Sequence, residues 1–94
     1  SNANQDNTPT GMEQENASHT QMAAWTHSPA RGILHIWANQ PMQSIQVYDL
    51  VGREIMVQSL DATQHTFNHL PSGIYIVGIR TQDGQSIHLQ TTVL

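Results

Sequence analysis

The chain has no cysteine and no lysine. The first absence excludes a disulfide framework, a thiolate zinc site and a cysteine nucleophile. The second leaves Arg31, Arg53 and Arg80 as the only cations, too few to neutralise a run of phosphates. Nucleic acid and an anionic membrane surface are thereby excluded as partners held by charge. Charged residues make up 11% of the 94, against roughly 25% in ordinary soluble domains. No run of about 18 apolar residues is present, so nothing reads as a membrane-spanning helix.

Ser1-Asn2-Ala3 reads as the scar of tag cleavage. A scar followed directly by a polar segment points to a chain that begins after a removed signal peptide, which places it outside the cytoplasm. Only Ala3, Met12 and Ala17 are apolar in residues 1 to 21, and that stretch carries three acids and no cation. It has almost nothing to bury, so residues 1 to 21 read as a scar followed by a disordered polar leader or linker. The core is expected in residues 22 to 94, one small domain with little room for a deep cavity.

From Met22 the pattern becomes short Ile- and Val-rich runs separated by turn residues, the rhythm of an all-β fold. The expected turns are Ser28-Pro29-Ala30-Arg31-Gly32, Asn39-Gln40-Pro41, Leu50-Val51-Gly52-Arg53, Asp61-Ala62-Thr63, Pro71-Ser72-Gly73 and Asp83-Gly84. Between them lie seven expected strands: Met22 to Trp25, Ile33 to Ala38, Ser44 to Asp49, Glu54 to Ser59, His65 to Phe67, Ile74 to Thr81 and Gln85 to Val93. The architecture they predict is a seven-strand antiparallel β-sandwich, immunoglobulin-like or fibronectin type III-like. Its expected core is Leu34, Ile36, Ile45, Val47, Leu70, Tyr75, Val77, Ile79, Ile87 and Leu89. Ile74 and Ile76 fall on one face of the sixth strand and Tyr75, Val77 and Ile79 on the other, which predicts a central strand covered on both sides. The Asp83-Gly84 turn makes the sixth and seventh strands antiparallel neighbours.

Leu70-Pro71-Ser72-Gly73-Ile74-Tyr75-Ile76-Val77 carries the most structural information. In such sandwiches a Tyr at the start of the sixth strand packs beneath the preceding corner, and its hydroxyl bonds back to the backbone. Leu70 is expected to plug the core, Gly73 to permit the bend and Tyr75 to close the corner.

The same residues, taken with Trp25-Thr26-His27-Ser28-Pro29-Ala30, Leu34-His35-Ile36 and Ile45-Gln46-Val47-Tyr48-Asp49-Leu50-Val51-Gly52-Arg53, run in register over about 70 residues with a known pattern. The sequence resembles the C-terminal sorting domain of the type IX secretion system of Bacteroidetes, the Por secretion system tail family. Pro29, Tyr48, Asp49, Gly52, Arg53, Leu70, Pro71, Gly73, Tyr75 and Val77 stand at the positions of its motif. Two departures are visible: Thr26 and Ser28 replace the Pro and Asn of the opening motif, and the last strand has no Lys. The resemblance implies a non-catalytic β-sandwich at the C-terminus of a cargo. It implies recognition by the outer-membrane translocon, reached through the periplasm, and then removal by a sortase-like protease, leaving the cargo secreted or on the cell surface. A translocon reads shape and edges, so the hairpin of the sixth and seventh strands, with a last strand at a sheet edge, is the expected carrier of the signal.

Chemical sites compete poorly with that reading. Six histidines invite a metal, and His65 and His69 would share a strand face with Phe67, with His27, His35 or His88 as a third ligand. His65 and His69 stand four apart, but on a segment that reads as strand rather than helix, and no H-x-H pair lies on any strand, so no metal or other cofactor is expected. Asp49, Glu54, Asp61 and Asp83 fall at turns or strand ends, where Asp caps backbone N–H groups, and no cleft is foreseen that would set two carboxylates against each other. Ser72 lacks the G-x-S-x-G setting of a nucleophile. Arg53 beside Asp49 reads as a local ion pair in a turn. An alternative function, a free-standing secreted or surface binding module, rests on Trp25, Trp37 and Tyr48; it requires Trp25 and Trp37 to be exposed together, rather than Trp37 covered by the N-terminal strand.

Overall fold

The computed structural model describes residues 21 to 94. The leader expected over residues 1 to 21 lies, Gln21 apart, outside the described residues. The regular elements are five strands: β1 (Ala24–His27), β2 (Leu34–Tyr48), β3 (Glu54–Phe67), β4 (Gly73–Thr81) and β5 (Ser86–Val93). β2 is the hub of one antiparallel sheet. β3 runs along one side of it, while β1 pairs with its first half and β4 with its second half on the other side, and β5 lies beyond β4.

The all-β expectation is met, but five strands replace the seven. Asn39-Gln40-Pro41 and Asp61-Ala62-Thr63 are not turns: β2 and β3 continue extended through them, so the second and third expected strands fuse, as do the fourth and fifth. What happens there instead is a slip of register, between Trp37 and Met42 and again between Met42 and Ser44. Buried positions on β2 explain it. Leu34, Ile36, Ala38 and Met42 are even-numbered, whereas Ile45 and Val47 are odd. Strict alternation cannot change parity, so the strand needs an extra residue, and a bulge supplies it while bending the strand. Pro41 is tolerated because it falls inside this irregularity.

The bends curl the sheet so that its two parts enclose one core. Leu34, Ile36 and Phe67 enter it from the part built of β1, the start of β2 and the end of β3; Ile45, Val47, Tyr75, Val77, Ile79 and Val93 enter from the other. Each large fully buried aliphatic side chain stabilises the fold by about 1.5–3 kcal/mol relative to exposure. Leu70 joins the same cluster, while Ile87 and Leu89, expected inside, are only partly buried because β5 is an edge strand.

The molecule has two ends of different character. At one, the chain enters: Met22 N–H donates to Gln85 Oε1 (3.1 Å), Ala23 N–H to Asn39 Oδ1 (2.9 Å) and Gln82 N–H to the Pro41 carbonyl (3.3 Å). At the other, Gly32 N–H donates to the Leu94 carbonyl (2.8 Å) and Leu70 N–H to the Gly32 carbonyl (3.0 Å). The cover foreseen for both sides of the sixth strand is not there. Ile74 is exposed and Ile76 half-buried on an outer face with no second layer among the described residues.

Candidate recognition surface

The link between β2 and β3 is a three-residue hairpin loop. Asp49 N–H donates to the Arg53 carbonyl and Gly52 N–H to the Asp49 carbonyl, both at 3.0 Å, with Gly52 in the left-handed region at φ 87°. That is a turn followed by a glycine bulge, a connection that needs a residue free of Cβ strain at its last position. The Asp49 carboxylate fastens it from inside: Oδ1 accepts from the N–H groups of Arg53 (2.9 Å) and Val51 (3.1 Å), and Oδ2 accepts from Arg53 Nε (2.9 Å). The expected ion pair is thus present. The Arg53 backbone N–H, ahead of its guanidinium, holds the Asp49 carboxyl below its ordinary value of 3.8, against a smaller opposing effect of burial. Leu50 and Val51, at the tip, are exposed.

The β4–β5 connection repeats the device. Thr81 N–H donates to the Gln85 carbonyl (2.9 Å) and Gly84 N–H to the Thr81 carbonyl (3.1 Å), so the loop is Gln82 to Gly84 rather than Asp83-Gly84 alone. Thr81 takes the part of Asp49: its Oγ1 accepts from Gln85 N–H (3.1 Å) and bonds Asp83 Oδ1. The sequence signal for both is a glycine at the fourth of five positions after a capping Asp or Thr.

The corner is built as expected. Leu70 is buried, Tyr75 is 6% exposed, and the Tyr75 hydroxyl donates to the Pro71 carbonyl at 2.6 Å. Gly73 opens β4 at φ 154°, and Val77 is fully buried. Pro29 is exposed in the loop that precedes β2. Its neighbour Ser28 reads in the sequence as the start of a turn and a departure from the opening motif, yet it is a joint of the structure. The Ser28 hydroxyl donates to the Ile33 carbonyl (2.6 Å) and accepts from Leu94 N–H (3.0 Å), tying the last residue to the opening loop. Loop 28–33, turn 49–53, the corner and Leu94 therefore gather at the end of the molecule opposite Met22.

Among the motif residues, Leu70, Tyr75 and Val77 are buried, whereas Pro29, Gly52 and Arg53 reach solvent. The described histidines do not converge. β3 ends at Phe67, His65 packs edge-on against the Phe67 ring (4.6 Å), and His69 lies beyond the strand at φ 65°. Among the described residues no three His, Cys, Asp or Glu side chains group as a metal site. Ser72 is exposed in the corner loop. A depression of about 80 Å³ lined by Gln46, Gly78, Arg80, Ser86 and His88 is well below the roughly 300 Å³ at which small-molecule sites begin.

The N-terminal strand does not cover Trp37. β1 pairs beside β2 in the same sheet, which sets Trp25 directly across from Trp37. Trp25 is 56% exposed, Trp37 is half-buried, and the His35 ring lies 5.5 Å from Trp37 with its Nδ1 bonded to Thr66 Oγ1 (2.7 Å).

A comparison with curated proteins finds no match. The model of the secretion system C-terminal sorting domain matches residues 28–91, which takes in the opening loop, both glycine-bulge hairpins and the tyrosine corner. The chain belongs to this family of type IX secretion sorting domains.

Proposed function

We propose that residues 22 to 94 are a non-catalytic C-terminal signal that directs an attached cargo through the outer-membrane translocon of the type IX system. Membership of the family implies interaction with that machinery and a secreted or cell-surface protein. The finer reading is that the cargo passes through the periplasm in a Bacteroidetes cell and is released by a sortase-like protease acting near the polar leader. The observation that carries it is the family match over residues 28–91, supported by the motif residues forming one tied end of the molecule. We also read the curled sheet as an immunoglobulin-like seven-strand sandwich in which two pairs of strands run on without a break. Supporting this is the pairing scheme, where β1, early β2 and late β3 oppose early β3, late β2, β4 and β5. The test is to fuse residues 4 to 94 to a periplasmic reporter in a host with the type IX system. The reporter should appear outside the cell; retention of the folded fusion in the periplasm rejects the proposal.

One observation favours a second reading, a surface-binding module: Trp25 and Trp37 are neighbours on an outer face. Trp25→Ala with Trp37→Ala should abolish binding to the cell surface and leave export intact if that reading holds.

A further inference from the structure

Among the described residues, five of the seven exposed large hydrophobics, Leu50, Val51, Ile55, Val57 and Ile74, lie around the β2–β3 hairpin and the outer face beside it. Tyr48 and Ile76, both half-buried, are register partners across β2 and β4 beside them. Ile55 and Val57 belong to the first half of β3, which among the described residues pairs on one side only, with β2. Its other edge has no strand partner among the described residues, though the Ser59 carbonyl accepts from the Gln58 side-chain amide (2.8 Å).

Exposed edges are normally guarded by lysine, proline, inward charges or bulges. Ile55-Met56-Val57-Gln58-Ser59-Leu60 has no charge, no proline and no glycine. Glu54 and the register slip beside Tyr48 sit at its start, and Met56 to Ser59 pair regularly with β2. Such a neutral run of β-forming residues on an open edge is an aggregation hazard unless something pairs with it. The other edges differ. β5 shows His88, Gln90 and Thr92 on its outer side, and β1 packs against β5.

We propose that the first half of β3 is a docking edge, and that its occupant is an extended strand presented by the secretion machinery, added beside Met56 to Ser59 with apolar side chains over Ile55, Val57 and Tyr48. This rests on the sorting reading and moves the recognised edge from the last strand to β3. Residues 1 to 20 are a poor occupant, since their only apolar side chains are Ala3, Met12 and Ala17. A second copy paired along the same edge is the competing occupant, and the test below separates it from the proposed one. Strand addition supplies the missing backbone partners, and alternate side-chain pockets give selectivity.

The test uses the reporter fused to residues 4 to 94. Ile55→Lys with Val57→Lys places two charges on exposed positions, and Ser86→Lys with Gln90→Lys does the same on β5. The β3 pair should lower the exported fraction at least tenfold with the domain still folded by circular dichroism, and the β5 pair should export as the parent does. Export of the folded β3 variant at the parental level overturns the proposal. Equal loss in both pairs also overturns it, since the defect is then one of added charge. If the lysines unfold the domain, Ile55→Thr with Val57→Thr, which keeps β-branched residues, decides by the same criterion. If the parent fusion itself stays in the periplasm, the sorting reading fails and this inference falls with it. A domain that dimerises through β3 in gel filtration, with the dimer lost in the lysine pair, assigns the edge to a second copy and overturns the stated occupant.

Discussion

The Tyr75 hydroxyl has one bond, to the Pro71 carbonyl, and its ring is already buried, so Tyr75→Phe removes the bond with little change in packing. The expected loss is about 0.5–1.5 kcal/mol, read as a shift of the denaturant midpoint at constant slope. Ser28 is more exposed to consequence because its hydroxyl serves two backbone groups at once. Ser28→Ala should cost about 1–3 kcal/mol, and hydrogen exchange at the Leu94 amide should accelerate more than at Val77. Asp49 gives a pH signature. Its folded carboxyl titrates below 3.8, chiefly through the Arg53 N–H, so its contribution is complete above that value and is lost as pH falls through the lowered one. Asp49→Asn should destabilise the domain at neutral pH and remove that part of the acid dependence below 3.8. An unchanged slope of stability against pH in the variant would show that the carboxylate makes no contribution.

Strands answer to a different accounting. Read from the sequence, removing Thr91 to Leu94 takes away part of a strand ladder at small cost in burial, which should leave the domain folded. The structure gives Thr91 and Val93 buried positions and ties Leu94 at both backbone groups. Deleting Thr91 to Leu94 should therefore lower stability by at least the roughly 1.5–3 kcal/mol of a buried valine, and thermal melting would show it. Loss of export in that truncation cannot be ascribed to recognition. The same contrast marks what was legible beforehand. The corner, the core alternation and the Asp49–Arg53 turn were, because each is local: a capping side chain, a glycine and a period of two suffice. The fusion of strands was not, since Asn39-Gln40-Pro41 and Asp61-Ala62-Thr63 have turn composition and only the parity change from Met42 to Ile45 betrays a bulge. Ser28 was missed because its partners, Ile33 and Leu94, include one 66 residues away. The sequence leaves the setting of Trp37 open, because one-dimensional pattern cannot distinguish a strand laid over a face from one paired at its edge.

At the scale of the whole molecule, the chain enters and finishes at opposite ends. Met22 and Ala23 are held beside Gln85 and Asn39, while Leu94 is held beside Ser28 and Gly32 among the motif loops. A cargo joined ahead of Met22 thus hangs from the end that carries none of the exposed motif residues. The hairpin tip and the corner lie at the other end, away from such a cargo. Under the proposed function, spacer length should then matter little to export, and should matter more to a protease acting ahead of Met22. Joining the reporter directly at Gln21, without residues 4 to 20, should leave crossing of the outer membrane nearly unchanged while slowing cleavage of the domain from the reporter. A folded protein appended after Leu94 places its mass at the motif end instead. It should reduce export strongly even where melting shows the domain intact, because the obstruction is steric and not a loss of fold. Full export of the C-terminal fusion would mean that the motif end is not the end that is read.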